Sequence, residues 1–340
     1  MRIGRSGRAV AIGRPPPRHW PPSGVNPLVT GHTVGCGTPL LRACGTGEVK
    51  RMTENLTDRP VVVLGGAGKV GRRLVPALRG GGHPVRVASR SSEQHFDWLD
   101  SATWAPALEG ARAVYVVYLQ NLFSQEAAVR LRSLGELALS LGVERVVLQS
   151  ARGWPEAYPA EVAVRSSGAP WTILRPAWFH QNFSEALLVH PLVAGEVRLP
   201  TGDGREAFVD AQDVAEAAAK VLTEDGHTGR LYELTGPRLL TFGDAVAEIA
   251  AGTGHAFRFT AQTAEEFAAE MRAAGVPEPY RYMDTEEFAR MESSLFAQVH
   301  SGANGYLTDA VERILGRTPR DFADYVRETA ATGVWDKQPS

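Results

Sequence analysis

A short glycine-rich segment constrains the fold of this chain most, because of the elements predicted on either side of it. The apolar run Val61–Leu64 is typical of a buried parallel strand. A helical stretch to about Arg79 and a second apolar run over 85–88 follow. Between the first strand and the helix stand three glycines at a GxxGxxG spacing, Gly65, Gly68 and Gly71. This order predicts a strand, a tight turn and a helix, the start of a βαβ unit.

The same alternation continues down the chain. Further apolar runs predict strands at 113–118, 143–148 and 171–174, with a long helical pattern over 124–141. Strands that alternate with helices predict an α/β fold, a Rossmann-type doubly wound parallel sheet. We place this core at 58–183.

Beyond about Phe183 the alternation loosens. Two further strands are predicted at 208–209 and 231–234. Helical patterns occupy 213–223, 243–252, 263–274 and 308–329. We expect a smaller α+β C-terminal substrate-binding part over 184–330, interleaved with the core and followed by a tail at 331–340.

The first 55 residues differ from the rest in composition. Residues 1–51 hold eight Arg or Lys against one Glu, are rich in Gly and Pro, and show no apolar period. This predicts a disordered extension at 1–55. Two interpretations stay open: a transit peptide, or an upstream artefact with translation starting at Met52, which we favour.

Composition also restricts location and partners. Both cysteines, Cys36 and Cys44, lie in the extension, so a cysteine-based metal site or a disulfide framework is excluded elsewhere, and a cytoplasmic setting fits. A formal net charge of −2 gives no support for nucleic-acid binding. No apolar run is long enough to span a membrane.

The glycine segment has the context of a dinucleotide-binding loop. Residues without Cβ atoms let a pyrophosphate approach the backbone, and the following helix offers free N–H groups and the positive end of its dipole. An ordinary glycine-rich turn is the alternative, which the strand immediately upstream disfavours. The predicted loop comprises Gly65, Gly66, Ala67, Gly68, Lys69, Val70 and Gly71.

The end of the second strand indicates which nicotinamide cofactor is bound. Versions that bind NAD place Asp or Glu about 20 residues beyond the loop, to hold the ribose 2′-OH. Here Ser89 and Arg90 occupy that point, and no acid occurs between His83 and Ser92. A guanidinium suits the 2′-phosphate, with Ser89 and Lys69 as helpers, so we predict NADP(H).

Several motifs in fixed order resemble one family. The chain is similar to NmrA-like atypical short-chain dehydrogenases, most of all to the ergot-alkaloid branch of agroclavine and festuclavine dehydrogenases. The resemblance spans roughly 60–328 and implies a Rossmann fold, an NADPH cofactor and a small apolar pocket; that branch reduces an iminium carbon. The motifs are Gly65–Lys69, Val87–Arg90, Phe96–Asp100, Val147–Ala151, Thr172–Pro176, Gly202–Gly204, Phe208–Asp210, Asp213–Ala215 and Gly316–Phe322.

Candidate catalytic residues stand at the predicted strand ends. The Tyr-x-x-x-Lys pair of typical short-chain dehydrogenases is absent, since Val162 stands four residues after Tyr158. Ser150 either acts chemically or satisfies backbone groups at its strand end. Tyr118 either walls the cofactor and donates a hydrogen bond or packs in the core. Glu161 either orients a group or binds a cationic amine, or it is a solvated helix acid.

Further binding residues complete the predicted site. With Tyr118 and Ser150, we assign Asp97, Trp98 and Pro176 to the cofactor. In the resembling family the segment after the Leu-Arg-Pro motif lies beside nicotinamide and substrate, which assigns Trp178, Phe179 and His180 to the substrate. A lone histidine is more often structural, and we favour that role for His180. No cluster has metal-site spacing.

These observations support two functions. The first is an NADPH-dependent reductase that transfers hydride to a small organic acceptor of iminium, enone or quinone type. The second is a non-catalytic NADP(H)-sensing regulator, which the missing Tyr/Lys pair favours. The expected partner is a small-molecule substrate, and the chain is expected to be a monomer or a homodimer.

Overall fold

The computed structural model describes residues 58–118, 122, 124–185, 188–277 and 283–336. All described residues belong to one compact unit, Thr53–Ser340. The prediction of a disordered extension at 1–55 therefore lies outside the described residues.

The described strands form one large sheet and two small ones. The large sheet has seven strands in the order β3-β2-β1-β4-β5-β6-β9, all paired in parallel, as predicted. In chain order the strands are β1 (Val61–Leu64), β2 (Val85–Ser89), β3 (Gln94–His95), β4 (Ala113–Val117), β5 (Arg145–Gln149), β6 (Trp171–Pro176), β7 (Glu196–Leu199), β8 (Arg205–Glu206), β9 (Arg230–Leu234), β10 (Leu240–Thr241) and β11 (Arg258–Ala261).

Helices cover both faces of the large sheet. Side chains of α2, α3 and α4 pack on one face, and those of α1, α6 and α10 pack on the other. The helices are α1 (Gly71–Gly80), α2 (Trp104–Leu108), α3 (Gln125–Ser140), α4 (Tyr158–Ser166), α5 (Val189–Ala194), α6 (Ala211–Thr223), α7 (Phe242–Thr253), α8 (Ala264–Ala274), α9 (Thr285–His300), α10 (Ala310–Leu315) and α11 (Phe322–Ala330).

The topology places a crevice at one edge. Strand order reverses between β1 and β4, the neighbouring strands at the centre of the sheet. In such sheets ligands bind outside the carboxyl ends of the strands at this switch point. The glycine loop follows β1 there, and the ends of β4, β5 and β6 lie along the same edge. We call this edge the cleft.

The C-terminal part shares the core of the large sheet. Strand β9 pairs with β6, and α6 and α10 cover the second face. A third core, rich in phenylalanine, joins Phe183 to residues of α7, α9 and α11. Trp335, in the segment predicted as a tail at 331–340, belongs to this core and donates from its indole to the Phe183 carbonyl at 2.8 Å.

Two element predictions also need correction. The single helix over 308–329 is two helices, because Gly316 ends α10 in the left-handed region at φ 72° and Pro319 follows. Residues 208–209 contribute one isolated bridge, between Val209 and Phe179, and no regular strand. The sequence patterns missed α9 and the small sheets β8–β10 and β7–β11. No helix in the described ranges combines the length and apolarity needed to cross a bilayer.

Candidate cofactor and active site

The loop after β1 is shaped by close backbone approaches that only glycine permits. Gly65 adopts φ 79°, in the left-handed region. A Cβ on Gly66 would lie 2.6 Å from Val87 Cγ1 of β2. A Cβ on Gly71 would overlap the Gly65 carbonyl oxygen and lie 2.7 Å from Gly66 Cα. These two glycines therefore seat the loop and the start of α1 against the sheet.

Gly68 has a different environment from its two neighbours. A Cβ there would meet only the Gly65 carbonyl oxygen, at 3.2 Å, so its free side faces open space. Within the described residues, no acceptor binds the backbone N–H groups of Ala67, Lys69, Val70 or Gly71. Unpaired N–H groups around a glycine at a helix N-terminus form a cradle for an anion. The loop thus fits the pyrophosphate of a dinucleotide.

Basic side chains add positive charge beside this cradle. Lys69 lies in the loop, Arg72 and Arg73 lie on the first turn of α1, and Glu185 forms ion pairs with both arginines. Arg73 also donates to the Lys69 carbonyl at 2.7 Å. Burial lowers the pKa of Lys69; Glu185 opposes this shift and the two arginines add to it. Three cations against one carboxylate leave a positive surplus near the loop.

The end of β2 presents Arg90 to solvent. Its guanidinium is exposed, and no hydrogen bond or ion pair to it forms within the described ranges. Arg86, by contrast, is used inside the fold, since it donates to the carbonyls of Ala107 and Glu109 at 3.0 and 2.7 Å. The hydroxyl of Ser89 is also engaged, with Ser92 Oγ at 3.1 Å, and shapes the turn after β2.

Trp98 and Tyr118, which follow β3 and β4, lie together beside the cleft, with Asp97 next to Trp98 in the chain. The Trp98 ring is buried and stands 4.8 Å from the Tyr118 ring. Tyr118 Oη accepts a hydrogen bond from Arg130 of α3 at 2.8 Å. The Asp97 carboxylate caps the local turn by accepting from the Leu99 N–H at 2.9 Å. The Tyr118 side chain is 5% exposed and packs in the core on the first face of the sheet.

Ser150, Glu161 and Arg175 form a buried network at the ends of β5 and β6. Ser150 Oγ donates to Glu161 Oε1 at 2.6 Å. Arg175 grips both carboxylate oxygens of Glu161, at 2.8 and 2.6 Å. Glu161 is 2% exposed. The predictions that Glu161 is a solvated acid or binds a cationic amine are wrong, because its carboxylate is buried and already paired. Ser150 serves this network rather than backbone groups.

The network continues across β9. Arg175 Nη1 lies 3.4 Å from Glu233, its partner in strand register, and the Tyr306 hydroxyl donates to Glu233 at 2.7 Å. Arg152 follows β5 and lies 3.7 Å from Glu233 and 4.0 Å from Glu206. Burial raises the pKa of Glu206 to about 7, opposed by Asn304 and Arg152. We call Ser150, Glu161, Arg175 and Glu233 the edge network.

The three residues assigned to substrate have separate surroundings. His180 is 0% exposed; its Nε2 lies 3.0 Å from the Phe208 carbonyl and its Nδ1 3.4 Å from Asp210. The prediction that His180 binds substrate is wrong, since its ring has no free face, and the favoured structural role fits. Trp178 is half-buried, and its ring packs against Phe296 with the centroids 5.3 Å apart and the planes tilted by 30°. Phe179 packs in the second core, and Pro176 is buried.

An open groove lies between the loop after β5 and helix α9. It has a volume of about 290 Å³, a largely apolar floor and a charged rim. Trp154, four residues beyond Ser150, packs edge-on against Trp178 at 6.2 Å and so joins the groove to the end of β6. We call it the α9 groove. Its lining residues are Trp154, Glu156, Met283, Glu287, Arg290, Met291, Ser294 and Leu295.

Metal ligation finds no support in the part of the chain that the structure describes. Nowhere in those ranges do three or more His, Cys, Asp or Glu side chains converge on a point that could hold an ion.

Comparisons with known proteins agree with this geometry. A family model described as NAD(P)H-binding matches residues 65–225. The uncharacterized oxidoreductase YesF of Bacillus subtilis is 31% identical over 82% of this chain and 99% of its own length. Agroclavine dehydrogenase of Claviceps fusiformis is 30% identical over 81% of this chain and 98% of its own.

The chain belongs to the NAD(P)H-binding, NmrA-like family of oxidoreductases. The resemblance inferred from the motifs is confirmed. A solved structure of the NADPH-dependent quinone oxidoreductase of Escherichia coli in complex with NADPH shares the fold, with a TM-score of 0.67 at 21% identity, covering 79% of this chain and 99% of its own.

Several residues of the site were not predicted from the sequence. The Arg175 network partners, Arg130 beneath Tyr118 and the α9 groove were not predicted. A signal existed for Arg175, because a charged residue near the end of a buried strand needs a buried partner. No local pattern identifies that partner as Glu161 or brings α9 to Trp154, since these contacts join segments far apart in sequence.

Proposed function

We propose that this protein is an NADPH-dependent reductase that transfers hydride to a small, flat organic acceptor. The observation that carries the proposal is the loop after β1. Its unpaired N–H groups and the open side of Gly68 form a cradle for a pyrophosphate, next to an exposed, unpaired Arg90. NADPH would supply the hydride, and the residues of the chain position it.

The preference for NADP(H) rests on charge. The 2′-phosphate adds nearly two negative charges to the ribose, and a free guanidinium can bind it with two parallel hydrogen bonds. Arg90 is the candidate, because Arg86 already donates to two backbone carbonyls at the end of α2 and the Ser89 hydroxyl is hydrogen-bonded to Ser92. Lys69 adds charge on the loop side.

The α9 groove supports the class of acceptor. A tryptophan, two methionines and a leucine offer a flat, adaptable apolar surface. Glu156 and Glu287 outnumber Arg290 at the rim, so a cationic ring system is favoured over an anionic one. One relative is a dehydrogenase named for an organic compound, agroclavine. We assign substrate binding to this groove together with Trp178 and Phe179.

Among the described residues at the ends of β5 and β6, neither Tyr158 nor Ser150 is placed to give a proton to a substrate, which restricts the chemistry. Tyr158 is followed by Val162 in place of lysine, and its ring lies under the Arg175 guanidinium at 4.5 Å. The Ser150 proton is directed to Glu161. Reduction of an iminium carbon leaves a neutral amine and needs no proton at that step. Such a reaction depends mainly on holding donor and acceptor at the right distance and angle.

The decisive experiment follows NADPH oxidation by absorbance with the purified protein and a panel of iminium, quinone and enone acceptors. We expect turnover with at least one cationic ring system. Tight NADPH binding without turnover of any acceptor would instead favour the NADP(H)-sensing regulator.

The groove is tested with the same assay. Leu295→Ala removes apolar floor and should raise the KM for the best acceptor several-fold, with the NADPH Kd unchanged. Leu139→Ala, at an exposed leucine on α3, is the matched control and should leave both values as in wild type. Equal KM values for both variants would remove the groove from the acceptor site.

A further inference from the structure

We propose that Arg175 is a positioning residue that acts through Glu161. It keeps the Glu161 carboxylate ionised, so the Ser150 hydroxyl donates its one proton to Glu161. Ser150 can then only accept a hydrogen bond from a ligand in the cleft. The inference rests on the proposed function, because it assumes that the cofactor or its acceptor reaches the carboxyl end of β5. It assigns to Arg175 a role that the resemblance to the family does not give.

The first step is the charge state of Glu161. Arg175 binds it with two nearly parallel hydrogen bonds, Nε to Oε1 at 2.8 Å and Nη2 to Oε2 at 2.6 Å. A guanidinium is always protonated in proteins, and this two-point geometry stabilises the ionised carboxylate. An ionised carboxylate is an acceptor only.

The second step follows from the partner of Glu161. Ser150 Oγ stands 2.6 Å from Glu161 Oε1, a short hydrogen bond inside the fold. Since the carboxylate has no proton to give, the serine must be the donor. A hydroxyl has one proton, so only its oxygen lone pairs remain for a ligand. Ser150 therefore cannot protonate a substrate.

The charges around Glu161 come from three elements. Arg175 approaches from β6, and its Nη1 lies 3.4 Å from Glu233 Oε1 of β9. Arg152, after β5, lies 3.7 Å from Glu233. On α4 itself, Tyr158 offers the face of its ring to Arg175 at 4.5 Å. Arg175 is thus the cation in direct contact with Glu161, and its removal leaves a buried carboxylate unpaired.

The ligand group that fits an accepting serine is a hydrogen-bond donor. The amide of a nicotinamide ring and an N–H on the acceptor molecule share this chemistry. The two sources are separated by measurement: a contact to the cofactor changes the Kd for NADPH, and a contact to the acceptor changes its KM.

The test uses five full-length proteins: wild type, Arg175→Met, Arg175→Lys, Ser150→Ala and the double variant Arg175→Met/Ser150→Ala. For each, the Kd for NADPH and the KM and kcat with the best acceptor are measured from about pH 6 to pH 8. Ser150→Ala should weaken Kd or KM roughly two- to tenfold, the usual effect of one hydrogen bond.

Arg175→Met should make the same quantity depend on pH. An unpaired buried carboxylate favours its protonated form, which can donate to Ser150 and release the serine proton toward the cleft. The pH dependence should vanish in the double variant, and Arg175→Lys should restore the flat wild-type profile. A merely structural role would lower the thermal midpoint without creating a pH dependence that requires Ser150.

Three results would overturn the inference. The first is an Arg175→Met profile parallel to that of wild type, and the second is a pH dependence that persists without Ser150. The third is a Ser150→Ala variant with unchanged Kd and KM. If Arg175→Met does not fold, Glu161→Gln replaces it, and the penalty of Ser150→Ala must then differ from that in wild type by at least about threefold. If no acceptor turns over, the proposed function fails, while the Kd series still decides the role of Arg175.

Discussion

The loop after β1 and the edge network at β5 and β6 lie along one edge of the same sheet but are built in opposite ways. The loop offers unpaired backbone N–H groups around glycines. The edge network consists of side chains that already satisfy one another, from Ser150 through Glu161 to Arg175. The loop is therefore suited to bind an anion, whereas the network holds a single serine in one orientation.

The greatest loss of NADPH binding is expected from a substitution in the loop after β1. Gly68→Val projects a branched side chain into the open side of the loop, where a phosphate would lie, while touching only the Gly65 carbonyl in the fold. We expect the Kd for NADPH to rise at least about 100-fold, or roughly 2.7 kcal/mol, with little change in thermal midpoint. Calorimetric titration and a thermal melt measure the two quantities.

Gly71→Ala is the matched control for that variant. Its Cβ would overlap the Gly65 carbonyl oxygen, so it should destabilise the fold by about 1–3 kcal/mol. A Gly68→Val protein that binds NADPH as tightly as wild type would remove the loop from the binding site.

The next largest effect is expected at Arg90, at the end of β2. Arg90→Ala should weaken NADPH binding by about one to two orders of magnitude and leave NADH nearly unchanged, because a charge-assisted hydrogen bond contributes about 1.5–3 kcal/mol. Lys69 would soften the loss. Calorimetry with both cofactors decides, and wild-type protein that binds NADH as tightly as NADPH would refute the assignment. Arg79→Ala, at an exposed arginine in the last turn of α1, is the control.

A third effect concerns stability beside the α9 groove. Burial raises the pKa of Glu292 from its ordinary value of 4.5 to about 7. The folded protein therefore holds this proton more tightly than the unfolded chain does. The stabilisation is complete below about pH 4.5 and is lost as pH rises to about 7, a difference of up to about 3 kcal/mol.

Glu292→Gln tests this prediction, because it keeps the shape and removes the titration. Relative to wild type, its thermal midpoint should be higher at pH 8 by several degrees, with a smaller fall between pH 5 and pH 8. Some fall should remain, since Glu206 has a raised pKa as well. Glu287→Gln, an exposed carboxylate on the same helix, should follow the wild-type profile. An unchanged midpoint at pH 8 would contradict the assignment.

The smallest effect is expected at the N-terminus. A chain that begins at Met52 should keep the thermal midpoint and the NADPH affinity of the full chain, because residues 1–51 carry Arg, Gly and Pro without an apolar pattern. A large loss in either quantity would show that the segment packs on the domain.

The sequence predicted the loop better than the edge network for a physical reason. Gly65, Gly66 and Gly71 are needed where they stand because of contacts within one βαβ unit, so a local pattern reveals them. The parallel strands and the family were also predicted correctly, because short local patterns reveal them. The local sequence places Glu161 on a helix, where an acid is usually solvated. Its burial depends on Arg175, which comes from β6 and is not part of that local pattern.

Longer-range packing produced the remaining errors. His180 is enclosed by Phe208 and Asp210, which lie about thirty residues away in the chain. Trp335 is buried against Phe183 from the opposite end of the folded unit. Such contacts depend on the arrangement of whole elements, and a pattern within a short window does not contain them.

The parallel pairing of β9 with β6 has a consequence for the order of folding. The partners Arg175 and Glu233 lie 58 positions apart in the chain, with α6 between them, so their strands can pair only after that segment has been synthesised and compacted. Closing long loops is slow, and parallel strands depend on it. A nascent chain that ends before β9 would contain the glycine loop but would lack the strand that pairs with β6 and the second carboxylate beside Arg175. We therefore expect amides of β1 and β4 to become protected before those of β9 in pulse-labelled hydrogen exchange, with the chemistry of the edge maturing last.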